Sequence, residues 1–80
     1  MIKQFELTIT FDKYNSKHFD KLIESNLIPD ITCANIDSDI VQVNYDAIPL
    51  IWCAQILDIL IDKGISILSF SIDDKDNIIK

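Results

Sequence analysis

The side chains of this chain that could support catalysis or metal binding are few and widely spaced. His18 is the only histidine, and the two cysteines, Cys33 and Cys53, stand twenty residues apart. That spacing fits neither a metal knuckle nor a redox CxxC pair, so we expect both cysteines to be small buried hydrophobes. The acidic segment 73–76 has the carboxylates of a calcium loop but lacks its glycine and closing glutamate. These residues predict a protein that is not an enzyme and that holds neither a metal nor another cofactor.

A stronger signal comes from the longest apolar run, Ala47–Lys63, which is interrupted only by polar residues in its second half. A membrane span needs about 20 mostly uncharged residues, so this run is predicted to be a helix packed on a sheet instead. On a wheel of about 100° per residue, one broad face is apolar and suits a core. Four further apolar residues fall in or beside the polar side, and they are surplus to that core: Ile48, Ile51, Trp52 and Ile59.

These surplus residues are either covered by the terminal segments of the chain or exposed as a binding surface. Contiguous exposed apolar patches usually mark interaction sites, and tryptophan is enriched among binding hot spots. We therefore predict a partner-binding surface on this helix that combines the apolar residues with their polar neighbours. Its members are Ile48, Ile51, Trp52, Gln55, Asp58, Ile59 and Asp62.

The charge of the chain bears on the kind of partner. Thirteen acids, eleven of them aspartates, face seven lysines and no arginine, which gives a net charge of −6. Direct nucleic-acid binding relies on cations that neutralise phosphates, so it is not expected here. An acidic surface suits a basic protein partner and speeds encounter with it. The competing interpretation is that the charge only keeps a small hydrophobic protein soluble.

The elements that position this helix can be predicted in chain order. Alternation of apolar and polar residues from Phe5 to Asp12 predicts a half-buried strand. Ser16 to about Ser25 is predicted to be an amphipathic helix, which Asn26 ends in a left-handed conformation and Pro29 keeps from continuing. The segments 30–36 and 40–45 read as a hairpin around the turn 37–39. After the helix predicted over 47–63, Gly64 is expected to end it, and 65–73 is predicted to be a last strand. Ile78-Ile79 is expected to add a short strand or to cover apolar surface.

The order strand, helix, strand, strand, helix, strand predicts an α+β, ferredoxin-like fold: a four-stranded antiparallel sheet with two helices on one face. Eighty residues make a single domain, 1–80, with no room for a second core. Nine residues are expected in that core: Phe5, Leu7, Ile9, Val41, Val43, Leu57, Leu60, Leu68 and Phe70. The open face of the sheet is expected to carry only polar side chains.

Several functions are compatible with this fold, which hosts many unrelated ones. We expect a cytoplasmic inhibitor or immunity-type protein that binds and neutralises a basic, nucleic-acid-handling partner. The alternatives are a dimeric regulatory module that binds a small ligand, similar in topology to the ACT type but lacking its glycine-containing turn after the first strand, and a small subunit of a larger assembly. No secretion signal and no membrane segment are recognised in the sequence.

Overall fold

The structure, a computed structural model, describes residues 2–75. Its elements follow the predicted order, and a 3-10 turn at Lys13–Asn15 joins the first strand to the first helix. The elements are β1 (Phe5–Asp12), α1 (Ser16–Glu24), β2 (Cys33–Ile36), β3 (Ile40–Ile48), α2 (Leu50–Asp62) and β4 (Ile67–Asp74). The predicted α+β, ferredoxin-like fold is confirmed.

The four strands form one antiparallel sheet in the order β2-β3-β1-β4, so β1 and β3 are central and β2 and β4 lie at the edges. Alternate residues of β1 point to the helices and are fully buried: Leu7, Ile9 and Phe11. The helices complete this core with Phe19 and Leu22 from α1 and with Cys53, Ile56 and Leu60 from α2. The ring centroids of Phe11 and Phe19 are 4.8 Å apart.

The open face of the sheet is polar, as predicted. Thr8 lies opposite Asn44, and Thr10 lies opposite Gln42. The Asn44 amide donates to Glu6 at 2.9 Å and to Thr8 at 3.1 Å, so neighbouring strands are linked by side-chain hydrogen bonds.

The register of the hairpin decides the orientation of β2, which the sequence left open. Ala34 pairs with Val43 and Ile36 with Val41, so these two residues share the core side of the sheet. Cys33 pairs with Asn44 on the open face and is exposed, so the prediction that both cysteines are buried is wrong for Cys33. Cys53 is buried as predicted, and burial raises the pKa of its thiol.

Helix α2 begins at Leu50, three residues later than the predicted start at Ala47. Ala47 and Ile48 continue β3, and Ile48 pairs with Phe5 of β1. The cause is Pro49, the N-cap of α2, because a residue before proline is disfavoured in the helical region. At the other end Gly64 has φ +85° and ends the helix as expected, and Asn26, with φ 62°, ends α1 in the same left-handed conformation.

The prediction of the core fails at β4. Leu68 and Phe70 were expected inside but are 57% and 55% exposed. Phe70 still lies opposite Ile9 on the side of the helices, but β4 is an edge strand, and within residues 2–75 no further strand lies beyond it to complete the burial. Leu68 is the unmatched residue of a register irregularity, since Thr10 pairs with Ser69 and Phe11 with Ile67. Phe5 and Leu57 are half-buried at the margin of the core.

Candidate functional site

Helix α2 rests on the sheet through a narrow buried stripe formed by Cys53, Ile56 and Leu60. The buried stripe is rotated from the apolar face predicted by the helical wheel. That face was centred on residues that include Leu50, Ala54 and Ile61, which are exposed in the structure, whereas Ile56, predicted at its margin, is buried. The sequence of α2 is apolar nearly all round, so a one-sided contact leaves apolar residues on both flanks. One flank faces the loop after α1, and the other faces β4.

The flank facing the loop forms a groove of about 280 Å³. We call this the Trp52 groove, and it is lined by Asn26, Leu27, Ile28, Pro29, Trp52, Gln55, Ile56 and Ile59. Trp52 and Leu27 are each 46% exposed, so a large apolar side chain stands on either side of the groove. Ile56 is buried beneath them. A flat apolar side chain from a partner would fit between two such walls.

The loop of residues 26–29, which forms one wall of the groove, is anchored to the core. Ile28 is only 3% exposed and belongs to the core cluster. The backbone N–H of Leu27 donates to the Leu22 carbonyl at 3.0 Å, and the Tyr45 hydroxyl donates to the Pro29 carbonyl at 2.6 Å. A pre-formed groove binds without the entropy cost of ordering its walls.

The electrostatics around the groove are acidic. Asp58 and Asp62 are exposed on the outer side of α2, in its second half, and Lys63 follows as the C-cap residue. Asp30 adjoins the loop wall, and its negative charge adds to burial in raising the pKa of the Tyr45 hydroxyl far above its ordinary value. Asp62 lies at the C-terminal, partly negative end of the helix, where a carboxylate is unfavourable.

The seven residues predicted to bind a partner separate into three groups in the structure. Trp52, Gln55 and Ile59 meet in the groove. Ile51, Asp58 and Asp62 are exposed on the adjoining outer surface of α2. Ile48 belongs to β3 and is half-buried against the core, so its assignment to the helix is wrong. Ile59 is also partly buried, since it packs on the core while it lines the groove.

The loop that forms the opposite wall of the Trp52 groove was not predicted to be part of the site. Its residues, Asn26 to Pro29, were interpreted only as the end of a helix. The signal for Leu27 was present, because it is an apolar residue between a helix terminator and a proline, where a connection is normally polar. The tail residues Ile78 and Ile79, expected as a strand or as a cover for apolar surface, and Asp76 lie outside the described residues.

Other chemistry-bearing residues are not brought together. His18 is exposed on α1, as expected for a solvated helix residue. Within residues 2–75, no three histidine, cysteine or acidic groups lie close enough to hold a metal ion. In the same range, no helix has both the length and the apolar character needed to cross a bilayer. The Trp52 groove brings together three of the seven predicted residues, so it is the candidate site.

The structure is that of a small acidic α+β protein of ferredoxin-like topology with an apolar groove beside its second helix. Comparison with known proteins adds no relative to this description: no family model, no curated protein and no solved structure matches the chain.

Proposed function

We propose that this chain is a cytoplasmic protein-interaction module of the inhibitor or immunity type. It binds a basic, nucleic-acid-handling protein and neutralises it by occupying its cationic groove. The observation that carries this proposal is the Trp52 groove, in which a half-exposed tryptophan faces Leu27 across a pre-formed cleft. Half-exposed apolar anchors beside such a cleft are typical of the centre of a protein interface.

The acidic residues beside the groove supply the preference for a basic partner. A protein that handles nucleic acid presents lysine and arginine to phosphates. Asp58 and Asp62 are spaced four residues apart, so they lie on one side of α2 and can meet two such cations. Their charges would speed encounter, while the groove and Trp52 would supply most of the affinity.

Parallel affinity capture with four baits tests this proposal. The baits are the native chain, Trp52→Ala, the double variant Asp58→Asn/Asp62→Asn, and Asp37→Asn/Asp39→Asn. The last variant removes two charges from the hairpin turn and is matched to the third in net charge. We expect a basic protein to be captured by the native and hairpin-turn baits, to be largely lost from Trp52→Ala, and to be captured less by Asp58→Asn/Asp62→Asn.

Purified partner then allows rates to be measured through the fluorescence of Trp52, the only tryptophan. We expect association to slow markedly as salt rises past physiological strength, and to slow further with Asp58→Asn/Asp62→Asn. The partner's activity on nucleic acid should fall as one equivalent of the chain is added. An acidic partner, or rates that ignore both salt and these substitutions, would contradict the electrostatic part; unimpaired partner activity would contradict inhibition.

A further inference from the structure

The second apolar flank of α2 continues onto the free edge of β4. Leu57 and Ile61 of α2 and Ile67, Leu68 and Phe70 of β4 surround a concave surface of about 600 Å³. We call this the β4 patch. Ile61 is 67% exposed, and Leu68 and Phe70 are each more than half exposed. None of the five side chains takes part in the Trp52 groove, so the chain has two separate apolar surfaces.

The outer edge of β4 has no neighbouring strand within residues 2–75. The features of β4 that oppose pairing are the register irregularity at Leu68 and the two aspartates at its end, Asp73 and Asp74. Natural edge strands carry charges, especially lysine, or prolines that prevent pairing with another chain. Here the nine residues from Gly64 to Ile72 contain neither a charge nor a proline. The other edge strand, β2, is only four residues long. An edge with six consecutive uncharged residues, Ile67 to Ile72, beside exposed apolar side chains is suited to strand pairing.

We propose that the β4 patch binds a second copy of this chain, with the two β4 strands pairing antiparallel across a two-fold axis. The two four-stranded sheets then form one continuous sheet, and the apolar residues of the two patches meet over it. The proposal does not rest on the function proposed for the Trp52 groove. It gives the outer edge of β4, which pairs with no strand within residues 2–75, a partner of the same composition, as an isologous contact requires.

Charge favours the antiparallel arrangement. Parallel pairing in register would place Asp73 beside its own copy, and like charges opposite one another are destabilising. In the antiparallel arrangement, an axis at Ser69 places Asp73 opposite the partner's Ile65, and an axis at Phe70 places it opposite the partner's Ile67. Neither residue is charged. Two chains of net charge −6 can therefore meet through their least charged segment.

Two other occupants fit the patch less well. A basic partner would find no carboxylate among the five residues of the patch. Pairing of β4 with β2 of another copy would be heterologous and would build an open chain of molecules.

Sedimentation equilibrium of the native chain and of the variants Phe70→Lys and Ile36→Lys tests the proposal. Ile36 is 69% exposed on the opposite edge strand and serves as the matched control. We expect a dimer for the native chain and for Ile36→Lys, and a dissociation constant at least about tenfold higher for Phe70→Lys. Raising the salt should leave the dimer unchanged or strengthen it, because the two copies carry like charges.

A cysteine scan along β4 gives a second measurement that does not depend on the stability of one variant. In a Cys33→Ser background, cysteine is placed singly at positions 68, 69, 70 and 71. An isologous antiparallel contact brings one position against itself, so one single variant should cross-link much faster than its neighbours. A monomeric native chain, a ladder of higher species, a dimer broken only by Ile36→Lys, or equal cross-linking along the strand would overturn the proposal.

Discussion

The two flanks of α2 share one helix and an apolar character, yet they are suited to different partners. The Trp52 groove is closed by a loop that the core and Tyr45 hold in place, and carboxylates adjoin it. The β4 patch is open on the side of a free strand edge and contains no charge. A pre-formed groove with acidic surroundings favours a folded basic partner, whereas an uncharged edge favours a strand of like composition. The surroundings of an apolar surface, more than its hydrophobicity, thus indicate what it binds.

The largest expected effect concerns the core beneath both flanks. Leu60→Ala removes a fully buried side chain of α2 and should lower the free energy of unfolding by about 2–5 kcal/mol. Leu57 lies at the margin of the β4 patch and is only half-buried, so Leu57→Ala should cost clearly less. Urea unfolding followed by Trp52 fluorescence measures both. Equal losses would show that the margin of the core is packed as tightly as its centre.

The next effect separates the two surfaces. Trp52→Ala should weaken binding of a captured partner by about 2 kcal/mol or more and leave self-association unchanged. Phe70→Lys should have the opposite pattern. Both residues are about half exposed, so both variants should melt close to the native temperature. Titration calorimetry with the partner and sedimentation of the chain alone provide the two readings. Loss of both associations in either variant would mean that the flanks form one interface.

Alkaline pH tests how firmly the loop wall of the groove is held. Burial, with the charge of Asp30, raises the pKa of Tyr45 above the ordinary value of 10.0. Above about pH 10 the unfolded chain therefore releases this proton while the folded chain keeps it. Stability should then fall as pH rises, by up to about 1.4 kcal/mol per pH unit from this group. The neutral hydroxyl contributes its full stabilisation below pH 10.

Tyr45→Phe should reduce this loss above pH 10, and at neutral pH it should cost about 1 kcal/mol because the Pro29 carbonyl loses its donor. Tyr14 is 91% exposed, so Tyr14→Phe is the matched control and should leave both quantities unchanged. Urea unfolding across the alkaline range measures the slopes. Identical slopes for the native chain and Tyr45→Phe would contradict the role assigned to Tyr45.

The smallest expected effect comes from neutralising Asp62, which should stabilise the fold but slow association with a basic partner. Asp62→Asn removes a carboxylate from the last turn of α2 and should raise stability by a few tenths of a kcal/mol, because that end of a helix is partly negative. The same variant should slow association with a basic partner. Thermal melts at low and high salt measure the first effect, which should shrink as salt rises. A fall in stability would indicate that Asp62 has a stabilising role in the fold.

The sequence by itself determined the fold. Local signals predicted the elements. The alternation from Phe5 to Asp12 corresponds to β1, and the amphipathic pattern that follows corresponds to α1. Asn26 and Gly64 end the two helices in the left-handed conformation. The sequence also indicated that the second helix carries more apolar surface than one sheet can bury. Trp52, Gln55 and Ile59 were predicted together because helical spacing alone makes them neighbours.

Only the tertiary structure decided which of the surplus apolar residues are buried, which line the Trp52 groove and which belong to the β4 patch. Burial depends on strand order and on what lies across from a residue, so the alternation in β4 could not reveal that Phe70 is at an open edge. Pro49 kept Ile48 in the sheet, which moved it away from the predicted surface. Leu27 and Trp52 line the same groove although they are distant in sequence, and no local pattern encodes such a juxtaposition.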